Sequence, residues 1–237
     1  MHLNPPETKL VQPGPLRDFC AALLRAVGLG DMDAALVARS LVEASLRGID
    51  SHGVARLPHY LGRMAHGSIN ACPVIQIERL GPACARLDGD HGLGQLVMWR
   101  AAQEAVALAK EAGAGWISLT SSSHCGALDF FGLKIAEAGM IGFVFTHVDP
   151  MVLPYGAKKP FCGTNPSCIT APGEGGQALC LDMATSKVPW NQVTNAALEG
   201  TTLAPGLAVD AGGRDTTDPN AITALYPFGS TKALGWV

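Results

Sequence analysis

Charge is scarce in this chain and nowhere concentrated. Asp, Glu, Lys and Arg make up only 16% of 237 residues, the net charge is -3, and the basic residues are scattered. A nucleic-acid or anionic-membrane partner needs a basic patch, so no such partner is expected. Long apolar runs are also missing, and none approaches the ~20 residues that span a bilayer. The N-terminus, Met1-His2-Leu3-Asn4-Pro5-Pro6, has no basic segment leading into an apolar one, so neither secretion nor membrane insertion is expected. There are seven cysteines, an odd number, but no C-x-x-C pair. That leaves no zinc ribbon, disulfide framework or other metal site to expect, and reduced thiols in a cytoplasm are the plain reading. The dinucleotide fingerprint G-x-G-x-x-G is absent as well: Gly92-Leu93-Gly94 begins it, but Val97 stands at the third glycine position.

What is present is apolar. A hydrophobic content of 48% supports a substantial core in one large or two modest domains, and a small molecule is the ligand that fits such a composition.

Residues 1–14, with three prolines, read as an extended arm. From Pro15, the residues Leu16, Phe19, Leu23, Leu24 and Val27 share one helical face that ends at Gly28-Leu29-Gly30. Asp31 then caps a second helix, whose buried stripe is Ala34, Val37, Ala38, Leu41, Val42 and Leu46. The next ten residues, Arg47 to Arg56, are dense in hydrogen-bonding types. His52 and Arg56 lie four apart at the expected start of a third helix, so their side chains share a face. There Arg56 could clamp a carboxylate while His52 bonds a neighbouring oxygen, or Arg56 could form a surface ion pair with Asp50 or Glu43.

Ile75 to Leu80 alternates as a strand, with Cys84 to Gly89 as its hairpin partner, and Gly92-Leu93-Gly94-Gln95 opens an alanine-rich helix to about Ala112. Gly115 to Leu119 is another strand, and Ala127 to Ala138 a helix, which places His124 at a strand-to-helix turn. Such a turn at the carboxyl end of a strand is where open α/β sheets bind ligands, and a histidine there either moves protons or caps the helix. Ile141 to Val148 reads as a strand covered on both faces, giving a parallel strand-helix-strand crossover that would bring Asp149 near His124. Asp149-Pro150 could equally start a turn. Gly163-Thr164-Asn165-Pro166 is a turn, and Ser167 to Ala171 with Ala178 to Asp182 forms a β-hairpin ending in Asp182-Met183-Ala184-Thr185-Ser186. Residues 200–220 read as loop.

Five of these stretches, in one order, resemble the malate/L-lactate dehydrogenase family: Arg47 to Arg56, Ser123-His124-Cys125-Gly126-Ala127, Asp149 to Gly156, Gly163 to Pro166, and Asp182 to Ser186. The likeness runs from about residue 15 to 232, and Asp149 to Gly156 with Ala171 to Gly175 is most similar to the ureidoglycolate branch. The resemblance implies an α/β fold with a mixed sheet and helices, not a Rossmann fold, preceded by an N-terminal helical region. It implies a helical, substrate-binding region over 1–72, a nicotinamide-binding α/β domain over 73–200, and a loop-rich start of a truncated C-terminal region over 201–237. A homodimer, a cytoplasmic enzyme, and NAD or NADP as cofactor follow from the same likeness.

For the residues, the resemblance implies that His124 is the acid/base, oriented by Asp149, or alternatively that His52 is the proton donor. Ser51 and Arg56 would hold the substrate carboxylate, and Val148, Asp182, Met183, Ala184, Thr185, Ser186 and Lys232 would contact the cofactor. The expected reaction is hydride transfer between the nicotinamide and a small 2-hydroxy acid such as malate, lactate or ureidoglycolate. Reduction of a cyclic imine acid and an inactive remnant that only pairs with other subunits are the alternatives. Two departures from the family pattern are Asn191-Gln192, where relatives carry Gly-Lys, and Lys232-Ala233-Leu234, where they carry Lys-Gly. The chain stops at Val237, before the long C-terminal region expected from the resemblance.

Overall fold

The structure, a computed structural model, describes residues 10–229. Two compact units meet in the chain between Ala127 and Leu128, whereas the sequence reading divides it after residues 72 and 200.

In the first unit, helices α1 (Pro13–Ala26) and α2 (Asp31–Leu46) form the expected hairpin. Asp31 is not the cap, however: Gly30 holds that position, and Asp31 with Asp33 sits in the first turn, where carboxylates complement the helix dipole. The expected third helix starts later. Asp50–His52 and Val54–Arg56 are separate 3-10 turns, and only then does α3 (Leu57–Ala65) begin. The break has a local cause. Gly53 lies against the end of α2, where any Cβ would overlap Ser45, and the Ser45 hydroxyl accepts the Val54 N–H at 3.1 Å. Cys20, Leu24, Val37, Leu41, Tyr60, Leu93 and Leu96 build the core beneath these helices.

Strand β1 (Gln76–Gly81) pairs antiparallel with β2 (Cys84–Gly92), and β2 pairs in parallel with β3 (Trp116–Ser122) across helix α4 (Gly94–Ala112). The sheet is therefore mixed. Leu87, Val97 and Ala101, with Ile77, Ile117 and Leu119, cement α4 to it.

The second unit corrects one expectation. Helix α5 (Asp129–Glu137) is followed by β4 (Gly142–Phe145), which pairs antiparallel with β5 (Ser167–Pro172) and not in a parallel crossover with β3. The run is not covered on both faces: Gly142 and Val144 are buried, while Phe143 and Phe145 are exposed. A strand with one wet face belongs in an antiparallel sheet. The hairpin of β5 with β6 (Ala178–Met183) forms as expected. Helix α6 (Trp190–Glu199), for which the sequence reading made no provision, packs Val193 and Ala196 with Val152, Leu203, Ile222 and Leu225. Within residues 200–220 a two-residue strand β7 (Ala208–Val209) pairs with β8 (Ala224–Leu225).

No helix among the described residues is long and apolar enough to cross a membrane, and no group of three His, Cys, Asp or Glu side chains there could hold a metal ion.

Candidate active site

His124 follows β3 within an irregular segment, five residues ahead of α5, so its setting is not the first turn of that helix. What fixes it is the start of α4. The Gly94 N–H donates to Ser123 Oγ at 3.0 Å, and a Cβ on Gly94 would overlap the Ser123 and His124 backbone. Gly92 is equally confined, with Pro73 and the Gly89 carbonyl where a side chain would go. The two glycines that imitate a phosphate loop are therefore there for close packing.

Around the imidazole the first unit assembles side chains that are 64 to 73 residues away in sequence. The His52 ring stacks on His124 with centroids 5.4 Å apart, and Ser51 Oγ lies 2.9 Å from His52 Nδ1. The Tyr60 hydroxyl is 2.6 Å from His124 Nδ1, which also accepts the Gly126 N–H at 3.3 Å. His124 is pulled from the ordinary histidine value down to about 3, first by burial and then by the charges of His52, Arg56, His59 and Arg63. Every leading charge acting on it is basic. Burial first, then Arg56 and Arg63, also lowers His59. The Glu43 carboxylate, a candidate partner for Arg56, lies against Arg39 and Arg47 at 3.8 and 3.5 Å. Thus Ser51, His52, Arg56 and His124 gather, although His52 and Arg56 do not share a regular helix face.

Tyr60 escaped the sequence reading because it occupies a buried position of α3 that looks like core. It is fully enclosed, and burial raises its phenol well above the ordinary tyrosine value. Gln95 was missed in the same way: it is fully buried on the first turn of α4, and neither end of its amide is in hydrogen-bond geometry with another group. It lies beside the Tyr60 hydroxyl, just short of a bond.

The second unit holds the expected cofactor segment. The Val148 N–H donates to Asn165 Oδ1 at 3.2 Å, and the Thr185 N–H donates to the Thr164 carbonyl at 2.8 Å. Both segments are thus fastened to the Gly163-Pro166 turn, where a Cβ on Gly163 would overlap the Val148 carbonyl. Several polar side chains here are spent on the fold. Asp182 accepts the Asp129 N–H at 2.8 Å and so caps α5, and burial raises its carboxyl above the usual range. Thr185 Oγ1 donates to the Thr164 carbonyl at 2.9 Å, and Ser186 Oγ to the Val188 carbonyl at 2.7 Å. Val148 and Ala184 are half-buried, and Met183 is exposed. Asp149 is exposed. Lys232 lies outside the described residues.

Residues 11–237 match the family model described as malate/L-lactate dehydrogenase, and the chain belongs to that family. It is 38% identical over 208 residues to ureidoglycolate dehydrogenase (NAD(+)) of Escherichia coli O157:H7, a match covering 88% of this chain and 60% of that protein. To the malate dehydrogenase of Pyrococcus abyssi it is 38% identical over 220 residues, covering 93% and 60%. Among solved structures, the delta1-piperideine-2-carboxylate reductase of Pseudomonas syringae superposes with a TM-score of 0.87 at 32% identity, covering 94% of this chain and 68% of that one. The chain thus spans about 60% of the length of these curated relatives.

Proposed function

We propose that the protein is an NAD- or NADP-dependent oxidoreductase that interconverts a small 2-hydroxy acid and its 2-oxo acid, in the cytoplasm and as a homodimer. The observation that carries this reading is the His124 cluster: an imidazole held neutral inside a ring of basic side chains, a setting that favours an anionic guest. Arg56, with its planar fork, and the Ser51 hydroxyl would take the carboxylate. His124, or His52 stacked on it, would exchange the proton of the substrate oxygen, as an alcohol needs a base within hydrogen-bond reach before hydride can leave its carbon.

The nicotinamide, when bound, gives or takes the hydride. Val148, Met183 and Ala184 would lie against it, the backbone of Ser186 would hold its amide, Thr185 would keep that segment in place through its bonds to Thr164, and Asp182 would contribute by holding α5 and the end of β6. Lys232 and Asp149 keep the roles that the family likeness implies, cofactor contact and orientation of the acid/base.

The test is nicotinamide absorbance against a panel of 2-oxo and 2-hydroxy acids, with cyclic imine acids alongside. Turnover of the imines alone would favour the second reading, a cyclic imine acid reductase, which the likeness to the piperideine-carboxylate enzyme supports and which the same carboxylate clamp would serve. In the active case His124→Ala lowers kcat at least about a hundredfold, and near-normal turnover would remove His124 from the mechanism. Failure of the purified chain to bind NAD(H) would leave an inactive remnant as the reading.

A further inference from the structure

We infer that Tyr60 is the positioning residue of the acid/base centre, donating its hydroxyl proton to Nδ1 and so holding His124 as the neutral tautomer whose proton is on Nε2. The inference rests on the reading of His124 as the proton-exchanging group, but its geometry stands apart from any reaction.

Two bonds meet at Nδ1. A backbone N–H can only donate, so the bond from Gly126 makes Nδ1 an acceptor. The contact at 2.6 Å must then run from the Tyr60 O–H to the same nitrogen. Arg56 also acts on that hydroxyl, and its guanidinium has only donors, so the Tyr60 oxygen accepts there and its single proton is left for the histidine. Burial and the surrounding positive charge keep a second proton off the ring. The neutral Nε2–H form is therefore the one that satisfies every neighbour.

The second observation is Gln95. A fully buried amide with no partner among the described residues is costly unless something occupies its hydrogen-bonding groups. Beside the Tyr60 hydroxyl it needs only a small shift for Nε2 to donate to the phenol oxygen. That shift would reinforce the direction of the Tyr60 proton, and it identifies Gln95 as the outer member of a chain running Gln95, Tyr60, His124.

In function, a fixed Nε2–H turns a proton toward the oxygen of a bound 2-oxo acid. Tyr60 touches neither substrate nor cofactor in this account; it acts through the imidazole. A phenylalanine in its place keeps the ring and the packing but removes the shorter of the two bonds to Nδ1, leaving the tautomer to the Gly126 N–H at 3.3 Å alone.

The direct test is two-bond nitrogen–proton NMR of the full-length protein labelled at histidine nitrogens, with His124→Gln to assign the signal. The expected wild-type spectrum has an unprotonated Nδ1 and a protonated Nε2 at neutral pH, and Tyr60→Phe moves the Nδ1 shift as that nitrogen loses its shorter hydrogen bond. In turnover, Tyr60→Phe lowers kcat at least about tenfold while KM changes within about twofold. A wild-type Nδ1–H, or an unaltered ring spectrum in Tyr60→Phe, overturns the assignment. The wild-type spectrum decides the matter even if the variant does not fold. A correct tautomer in a protein that turns over none of the panel would sink the dehydrogenase reading and leave this one intact.

Discussion

His124 carries its cost in the folded state and shows it as pH falls. An unfolded chain binds a proton at this residue near pH 6.5, whereas the folded chain does so only near pH 3. Between those values the unfolded state holds more protons, so stability is complete above about pH 6.5 and is lost progressively on acidification. By pH 4 the loss from this one residue is roughly 3 kcal/mol. The expected result is that urea midpoints of wild type fall steeply from pH 7 to pH 4 while those of His124→Gln fall less, as glutamine has no proton to gain. Parallel pH dependence in the two proteins would mean that the imidazole is not shielded as described. Gly126 illustrates how much at this scale is invisible in sequence: two residues past His124, with φ of 81°, its N–H donates to the imidazole.

At the scale of elements, the start of α4 decides where His124 sits. Gly94→Ala places a methyl group into the Ser123 and His124 backbone, and since neither a strand end nor a helix start yields cheaply, a cost of about 1–3 kcal/mol is expected. Gly62→Ala is the matched control. Gly62 lies inside α3 with nothing within 4 Å of the added carbon, so the exchange should stabilise by about 0.5–1 kcal/mol. Thermal unfolding of the two variants with turnover alongside checks both; equal effects would sink the packing argument.

The elements most legible in the sequence were those whose periodicity and punctuation agree. The helix pair ending at Ala26 and Leu46, the hairpin of β1 with β2, and the hairpin of β5 with β6 fall within a few residues of their expected bounds. Where local pattern underdetermines pairing, the reading failed. Ile141 to Val148 is apolar enough for a buried parallel strand, and only its antiparallel partner β5 shows that alternate residues face solvent. Residues 50–56 show the opposite case. The regular helix expected there is broken by the contact of Gly53 with Ser45, which no local pattern encodes, yet His52 still reaches His124 and Arg56 still charges its surroundings. Tyr60 and Gln95 were lost because a buried tyrosine and a buried glutamine carry no sequence signal that separates a site from a core.

On the scale of the whole molecule, the second unit leaves one face of its sheet without cover. The register aligns Phe143 with Ile169 and Leu181, Phe145 with Ser167 and Met183, and Ala171 with Leu179, so these side chains project together. Leu179 is 71% exposed and Phe143 56%. The opposite face is packed: Val144, Cys168 and Thr170 are buried, and α5 sits so close that a Cβ on Gly132 would press on Thr170 and Cys168. A contiguous apolar face of this kind recruits hydrophobic dyes and favours association. Its two outer strands, β4 and β6, each bond to β5 alone within the sheet, which adds unpaired backbone at the edges. The expected outcome is strong fluorescence with an anilinonaphthalene dye and a sedimentation coefficient that rises with concentration. The double variant Phe143→Thr, Leu181→Thr should weaken both while leaving the melting temperature within about 4 °C, because threonine keeps the strand preference and the packed face is untouched. Because the substitutions lie on the face opposite α5, a large fall in melting temperature would mean that these side chains belong to the core, whereas unchanged dye binding and association would move the sticky surface elsewhere on the protein.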